Sequence, residues 1–485
     1  MKSLSAQDRE FFELVESAGF SNPFSAQRHN VDLAIAGLEA NASREKAIQS
    51  MLAQVNKRMH RLGDFKLRDF APEDRQPLKM AVLFQLFHQF ADHFDTHIKA
   101  QAEAGHKPLK LACGPEIIRA LDRYGYTEVN AGRVISFFFQ IRRAFTFLSR
   151  NLVGESRVMR NLRERAWGTV FTQDLALYER LLWNRLEDFS TFLIGETGTG
   201  KGVVAKALGQ SGWIEYDVAN SRFEHSFTSA FVPVNLSQFA ETLLESELFG
   251  HVKGAFTGAE ESREGVFKQC QTHGTIFLDE LGEVSIPIQI KLLRVLQERV
   301  FSPVGSREQL AFQGRVIAAT NQPVHELRAD GRFRDDFYYR LCSDVIEIPP
   351  LRERIAQDPD ELTNLVEHLV TRIVGGAEKV LSDQVFAAID RLGPDYAWPG
   401  NVRELEQCIR QVVVRGTYDG DRKPRTQNPL TLSLLEDELD ANQLLSHYCH
   451  AMYQKYASYE EVGRRLGLDR RTVKKYVVEF EEINP

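Results

Sequence analysis

Three short stretches of this chain carry residues able to do chemistry. The first is G-E-T-G-T-G-K-G (Gly195–Gly202). Gly195, Gly198 and Gly200 permit the tight turns that aim backbone N–H groups at phosphate oxygens, and Lys201 can reach the β- and γ-phosphates. Glu196, Thr197 and Thr199 fill the loop, and Gly202 stands where a Ser or Thr hydroxyl usually meets Mg²⁺. The second stretch, T-I-F-L-D-E (Thr275–Glu280), is an apolar strand ending in two acids. With no hydroxyl at Gly202, the metal falls to Asp279, the nucleotide and water, while Glu280 is placed to orient and polarise an attacking water. The third, G-A-F-T-G-A (Gly254, Ala255, Phe256, Thr257, Gly258, Ala259), has no evident part in nucleotide binding. Its glycines permit a hairpin-like tip presenting one ring and one hydroxyl. Spacing alone favours a turn whose phenylalanine packs inward, because an exposed ring costs solubility unless a partner covers it.

A glycine-rich turn by itself is a weak signal, equally a plain βα loop. Here a strand, Thr191–Ile194, precedes it and a helix, Val203–Leu208, is expected after it, which puts the phosphates at a helix N-terminus. With the lysine and the downstream Asp-Glu pair, binding and hydrolysis of a nucleoside triphosphate is the reading. The runs Thr191–Ile194, Phe231–Val234, Thr275–Leu278 and Val316–Ala319 alternate with helical stretches, so residues 166–350 are expected to form a parallel sheet covered by helices. Residues 1–165 read as helical, with apolar positions at three- and four-residue spacing (Val82, Leu86, Phe90, Phe94) and a bulky aromatic core including Phe137, Phe138, Phe139, Phe145 and Phe147. This region shows no nucleotide motif. Residues 351–415 are helical again after Pro349-Pro350, 416–440 read as a linker rich at first in Gly, Pro and charge, and 441–485 as a small helical unit. The fold class is therefore multidomain: all-α, then α/β with a phosphate loop and a helical lid, then all-α.

Bulk properties agree. At 485 residues the chain exceeds one ordinary core, and 43% hydrophobic with 26% charged residues is a globular balance. No apolar run is long enough to span a membrane, and the first residues lack the order of a signal peptide. Five scattered cysteines without metal-ligand spacing suit reduced thiols and a cytoplasmic location. A net charge of −7 means that any nucleic-acid contact must come from a local basic patch.

Such a patch lies near the C-terminus. Ser458 and Glu461 have capping-box spacing for a helix over Tyr459–Leu466, Gly467-Leu468-Asp469 makes a tight turn, and Asp469 can cap a helix over Arg470–Phe480. Val462, Leu466, Leu468, Val473 and Val477 can share a small core, which is a helix-turn-helix pattern. The second helix offers Arg470, Arg471, Thr472, Lys474 and Lys475 to a DNA groove and its phosphates. The alternative is a solvated amphipathic hairpin.

From about 153 to 415 the chain resembles the AAA+ domain of sigma-54-dependent transcription activators of the NtrC type. The resemblance rests on G-E-T-G-T-G-K, E-S-E-L-F-G-H-V-K-G-A-F-T-G-A, G-T-I-F-L-D-E, Q-I-K-L-L-R-V-L-Q-E, F-R-D-D-F-Y-Y-R-L, P-P-L-R-E-R and W-P-G-N-V-R-E-L. It implies ATP and Mg²⁺ as cofactors. Asn235 would pair with the catalytic Glu280, and Thr320 and Asn321 would sense the nucleotide. Arg334 and Arg340 would reach the γ-phosphate of a neighbouring subunit, and Arg403 is the lid arginine. Asn401 and Glu404 have capping-box spacing, which fixes Arg403 in a first helical turn. Gly254–Ala259 would contact sigma-54 of the RNA polymerase holoenzyme. Fingers supplied in trans imply a homo-oligomer, dimer to hexamer ring. The C-terminal unit is similar to Fis-type domains, implying enhancer DNA as partner. Rivals of other classes are a remodelling chaperone, which would lack G-A-F-T-G-A, and a repressor with a degenerate ATPase, which would lack Lys201, Asp279 or Glu280.

Two features depart from that pattern. Gly202 stands where the family often has an acid, and Gly209–Ala230 is longer than the usual connection, an insertion of unassigned role. His88, His93 and His97, with Asp92 and Asp95, are expected on one helix, as a polar face in preference to a metal site.

Overall fold

The computed structural model describes residues 1–39, 41–420 and 441–483. They fall into two units, Met1–Tyr418 and a second beginning at Asp419. The linker read at 416–440 lies outside the described residues from 421 onward.

The first unit opens with helices α1 (Ala6–Phe20), α2 (Ala26–Ala36), α3 (Arg44–Leu62), α4 (Pro72–Gln89), α5 (Ala91–Ala104), α6 (Gly114–Arg123), α7 (Glu128–Asn151) and α8 (Arg157–Phe171). Local chemistry sets several starts: the hydroxyls of Ser5, Ser25, Ser43 and Thr127 each accept the backbone N–H three residues on. Phe12, Phe70, Phe90, Phe94 and Phe139 are fully buried at the centre of this bundle.

The bundle is not closed by its own residues. The stretch after the phosphate-loop helix forms a short hairpin, Tyr216–Asp217 against Arg222–Phe223, and Ile214, Tyr216, Phe223 and Phe227 are part of the bundle's core. Phe223 stacks on Phe139 at 3.9 Å between centroids. The insertion therefore belongs by sequence to the nucleotide-binding region and by packing to the helical one.

The sheet is fully parallel. Strands β1 (Thr191–Ile194), β2 (Phe231–Asn235), β3 (Thr275–Asp279), β4 (Arg315–Thr320) and β5 (Asp344–Glu347) lie in the order β5-β1-β4-β3-β2. Both faces are covered, and successive residues alternate between two cores. Phe192, Ile276, Leu278, Val316 and Ala318 face one, while Leu193, Phe277, Ile317 and Ala319 face the other. Helix α8 packs in the second core with Leu193, Val204 and Ile346, so the helical region runs past residue 165 into the body of the sheet domain. A four-helix lid follows: Leu351–Gln357, Asp360–Val374, Lys379–Asp390 and Asn401–Arg415, packed around Leu365, Val385, Trp398, Leu405 and Ile409. Among the described residues no helix is long and apolar enough to cross a membrane, and all five cysteines are free.

The described residues of the second unit form the helices Ala441–Tyr456, Tyr459–Leu466 and Arg470–Ile483, around Cys449, Val462, Val473 and Val477, with Leu466 and Leu468 against them. Gly467 takes the left-handed turn between the last two at φ 69°, and Asp469 accepts the N–H of Arg471 at 2.8 Å. Ser458 accepts the N–H of Glu461, but only half of the expected capping box forms. The Glu461 carboxylate turns to Arg464 and Arg465 instead of the Ser458 backbone. Those two arginines hold it well below the usual carboxylate range, at about 2.

Candidate nucleotide site and output loop

The phosphate loop leaves β1 at Gly195 and enters the helix Lys201–Gly209. β1 lies between β4 and β5, so the loop opens at the carboxyl end of the sheet where ligands of such folds sit. Two glycines have a steric reason. Gly198 sits at φ 79°, and a Cβ there would be 2.1 Å from the Gly400 carbonyl oxygen; Gly200 sits at φ 104°. Lys201 is buried, and its Nζ donates to the carbonyls of Gly195 (2.8 Å) and Glu196 (3.1 Å). Burial pulls its pKa down, against the opposing pull of Glu280 and Asp279. Thr199 donates to the Glu196 carbonyl, and Thr197 accepts the side-chain amide of Asn321 at 2.9 Å. Thr320 is fully buried at the end of β4 and accepts the N–H of Gln322.

Asp279 closes β3, one strand over from Asn235 in register, and its Oδ1 accepts the N–H of Glu280. Glu280 has left-handed backbone angles, φ 58° and ψ 42°, and its buried Oε2 has no hydrogen-bond partner. Burial first, then the Asp279 charge, raises its pKa above the ordinary value, with Lys201 working the other way. An orphaned carboxylate oxygen beside a lysine and a second acid fits a site built for a polyphosphate, a hard cation and a water.

Four of the expected site side chains, Asn235, Arg334, Arg340 and Asn401, have the following partners in the single chain. Asn235 does not pair with Glu280: its Oδ1 accepts from the N–H and hydroxyl of Ser237, at 3.0 and 2.7 Å, capping the turn after β2. Arg334 is engaged in a two-pronged pair with Asp336, and Arg340 donates twice to the Leu296 carbonyl. Within one chain, then, neither guanidinium is joined to the phosphate loop. Asn401 does not cap its helix. Its Oδ1 accepts the Leu351 N–H, its amide donates to Glu196 and the Thr197 carbonyl, and Gly400 is the cap, its N–H held by Glu404. The backbone N–H of Arg403 donates to the Gly198 carbonyl, so the first turn of this helix lies directly on the loop.

Sequence reasoning missed Arg352, which grips the Glu196 carboxylate with both terminal nitrogens and lowers its pKa. The P-P-L-R-E-R stretch held the signal: Arg352 and Arg354, two apart on a helix, point in different directions. Arg354 makes a buried pair with Glu361, and it also donates to the Val153 carbonyl. Glu361 accepts the N–H groups of Glu155 and Ser156 as well, tying the α7–α8 junction to the lid.

Gly254–Ala259 forms the tip between short antiparallel strands Gly250–His251 and Arg263–Glu264. Gly254 donates to the Ala259 carbonyl at 2.8 Å, and Gly254 and Gly258 have φ of 81° and 98°. Phe256 is exposed, its ring edge-on to His251 at 5.0 Å, and Thr257 is exposed beside it. The ring does not pack in the core, which was the outcome that spacing alone favoured. In the second unit Arg470, Arg471, Lys474 and Lys475 are exposed on one helix, and Thr472 is half-buried among them.

The histidines are not one polar face. A break at Phe90 puts His88 on α4 and His93 and His97 on α5. His97 is buried between Phe139 and Phe223, with burial pushing its pKa down to about 4. Asp95 pairs with Arg142. Among the described residues no group of three potential ligands could hold a metal.

A parallel sheet in this order, with a phosphate loop after β1, paired acids after β3 and a helical lid over the loop, defines an AAA+ ATPase-type domain. Residues 173–348 match the family described as the Sigma-54 interaction domain. The chain is 38% identical over 298 residues to the transcriptional regulatory protein ZraR of Klebsiella oxytoca, covering 59% of this chain and 62% of that protein. It is 43% identical over 232 residues to the Nif-specific regulatory protein of Azotobacter vinelandii (48% and 40% covered). To the DNA-binding transcriptional regulator NtrC of Azospirillum brasilense it is 42% identical over 227 residues (47% and 43% covered). The likeness lies in the central region, where the chain is similar to these regulators and carries the Sigma-54 interaction domain. The chain spans between 40% and 62% of the length of these relatives. A solved structure of NtrX from Brucella abortus in complex with ATP is similar at 20% identity and a TM-score of 0.42, covering 75% of this chain and 79% of that one.

Proposed function

We propose that this chain is an ATP-driven transcription activator. It binds upstream enhancer DNA through its C-terminal unit, assembles from dimers into a hexameric ring, and spends ATP hydrolysis on remodelling the sigma-54 RNA polymerase closed complex into an open one. One observation carries the reading: a phosphate loop with its paired acids shares a domain with the exposed Gly254–Ala259 tip.

The backbone N–H groups of Gly195–Gly202 cradle the phosphates, and Lys201 exchanges the Gly195 and Glu196 carbonyls for phosphate oxygens. Mg²⁺, when bound, neutralises charge on the transferred phosphoryl group. Asp279 is the carboxylate to hold it, and Gly202 adds no side-chain ligand. Glu280 accepts a hydrogen bond from the attacking water at its unpaired Oε2. Asn235 leaves Ser237 and Arg334 and Arg340 leave Asp336 and the Leu296 carbonyl when the ring forms, the two arginines turning to the nucleotide of an adjacent copy. Asn321 and Arg403 report phosphate occupancy to the lid, the first through Thr197, the second through Gly198. Phe256 and Thr257 meet sigma-54.

The test is Thr257→Ala in the purified full chain. Expected are unchanged ATP turnover and loss of promoter melting, followed by permanganate reactivity on a sigma-54 promoter. Melting at the wild-type level by this variant would overturn the reading.

A further inference from the structure

A cavity of about 630 Å³ lies among α1, α3, α4, α7 and α8, well apart in the chain from the phosphate loop. Its volume is in the range of small-molecule sites, about 300–1,000 Å³. Rings make much of its wall: Phe20, Phe84, Phe87, Phe138, Phe145 and Trp167. A monomer rarely leaves so many rings around a void, because each forfeits contacts it would make in a packed core.

The polar groups of the wall are unequal. Arg28 is bonded to Asp32 at 2.6 Å, Arg142 to Asp95, and Glu179 to Lys79. Glu45 and Asp92 are exposed. The side chain of Arg44, at the first turn of α3, makes no hydrogen bond or ion pair among the described residues. Burial pulls its pKa down, and the charges felt there are Arg28 and Arg163 against Asp32 and Glu155. Two of those charges are positive and two negative, and Arg44 forms an ion pair with neither acid. His88 lines the same space, its ring tilted against Phe84 at 4.5 Å between centroids and without a side-chain hydrogen bond among the described residues. Its pKa is pushed down to about 3 by burial, then by Arg28 and Arg142, so it is a neutral donor or acceptor.

We propose that this cavity binds a small amphiphile, a ring-bearing apolar body with one carboxylate, whose anion meets Arg44 and whose body lies among the phenylalanines and Trp167. A monoanion gives Arg44 an ion pair and a ring fills the aromatic void. The site has a built-in connection to the ATPase. The face of α7 that bears Phe138, Ile141 and Phe145 lines the cavity. Its other face is bonded to the residues just after the phosphate-loop helix: Arg143 to the carbonyls of Gln210 and Gly212, both at 2.7 Å, and Gln140 to that of Ser211 at 3.1 Å. A ligand that shifts α7 therefore acts on the helix that begins with Lys201.

The experiment is isothermal titration calorimetry of the full-length chain with 2-naphthoate, benzoate, indole-3-acetate and decanoate as probes, and 2-naphthalenemethanol as the neutral counterpart. Direct binding is read, so the outcome does not depend on any activity with sigma-54. Expected is saturable binding of at least one ring-bearing acid, one per chain, weakened about ten-fold or more by Arg44→Gln. The neutral alcohol should bind equally to both proteins. Ile48→Trp, which fills the space from α3, should abolish binding of acid and alcohol alike. Arg44→Gln is near the surface and keeps the test decisive should Ile48→Trp not fold. The proposal is overturned if no probe binds, if only decanoate does, if Arg44→Gln leaves acid affinity unchanged, or if folded Ile48→Trp binds as the wild type.

Discussion

Glu280 holds a left-handed backbone conformation, φ 58°, with one carboxylate oxygen buried and unpaired. For a non-glycine residue that conformation costs about 1–3 kcal/mol, a strain typical of reactive positions. Its pKa is raised, chiefly by burial. With a folded pKa above the unfolded one, the residue favours folding at low pH, and that contribution is lost as pH rises from the ordinary glutamate value through the folded pKa. Above the folded pKa the charged side chain is thus a net cost to the fold. Glu280→Gln should therefore lower ATP turnover about 10²–10⁴-fold while raising the melting temperature, measured by phosphate release and differential scanning calorimetry. A drop in both would mean that Glu280 is structural. In the wild type, turnover should fall with decreasing pH as Glu280 takes up its proton.

Gly202 gives a second residue-scale prediction. A Cβ there would meet only the Phe277 ring, at 3.9 Å, and the position is helical and exposed. No steric demand keeps it glycine. Gly202→Ala should stabilise the chain by about 0.5–1 kcal/mol in urea unfolding. Gly202→Ser should lower the Mg²⁺ concentration needed for half-maximal turnover, because it restores a hydroxyl beside Lys201.

At the scale of elements, what was legible in the sequence follows from how local each determinant is. The phosphate loop, the acids at the end of β3 and the turn at Gly467 are set by contiguous residues, and the strands at Thr191, Thr275 and Arg315 by apolar runs buried on both faces, while the strand at Phe231 lies at the sheet edge with only Val234 buried. β5 was missed because D-V-I-E has only two apolar residues and gains its place from pairing with β1. The Asn401 cap was misread because spacing cannot tell a side chain that bonds its own helix from one that crosses to another segment, here Leu351, Glu196 and Thr197. The break at Phe90 was invisible because apolar spacing continues across it, from Leu86 to Phe94. The role of Gly209–Ala230 could not be read either, since its partners, Phe139 and Ser136 on α7, lie about 80 residues upstream.

That hairpin carries its own prediction. Phe223 is buried against Phe139, His97 and Tyr216. Phe223→Ala should cost about 3–5 kcal/mol in the transition that unfolds the helical bundle, resolved by denaturant titration. Loss of less than 1 kcal/mol would show that the hairpin is not part of that cooperative unit.

At the scale of the whole molecule, the chain is acidic overall, yet its last described helix opens with four exposed cations, Arg470, Arg471, Lys474 and Lys475. Charge is thus sorted by position along the chain, as expected where one end meets polyanionic DNA. Arg471→Ala should weaken binding to the native enhancer without altering ATP turnover. If Arg471 contacts only phosphate, the slope of log affinity against log salt should fall by about one and the loss should be the same on unrelated DNA. If it reads a base, the native site alone should suffer. Unchanged binding at moderate salt would remove Arg471 from the interface.

The hairpin that Tyr216 and Phe223 anchor also bears on ancestry. Domains are exchanged between genes most simply at a linker that few contacts cross. Here a crossover between the helical bundle and the sheet domain would strand Ile214, Tyr216, Phe223 and Phe227 without their cover. A chimera bearing a foreign bundle would have to lose two separated segments at once, so bundle and sheet domain in this lineage should be inherited together, and their phylogenetic trees should share one branching order.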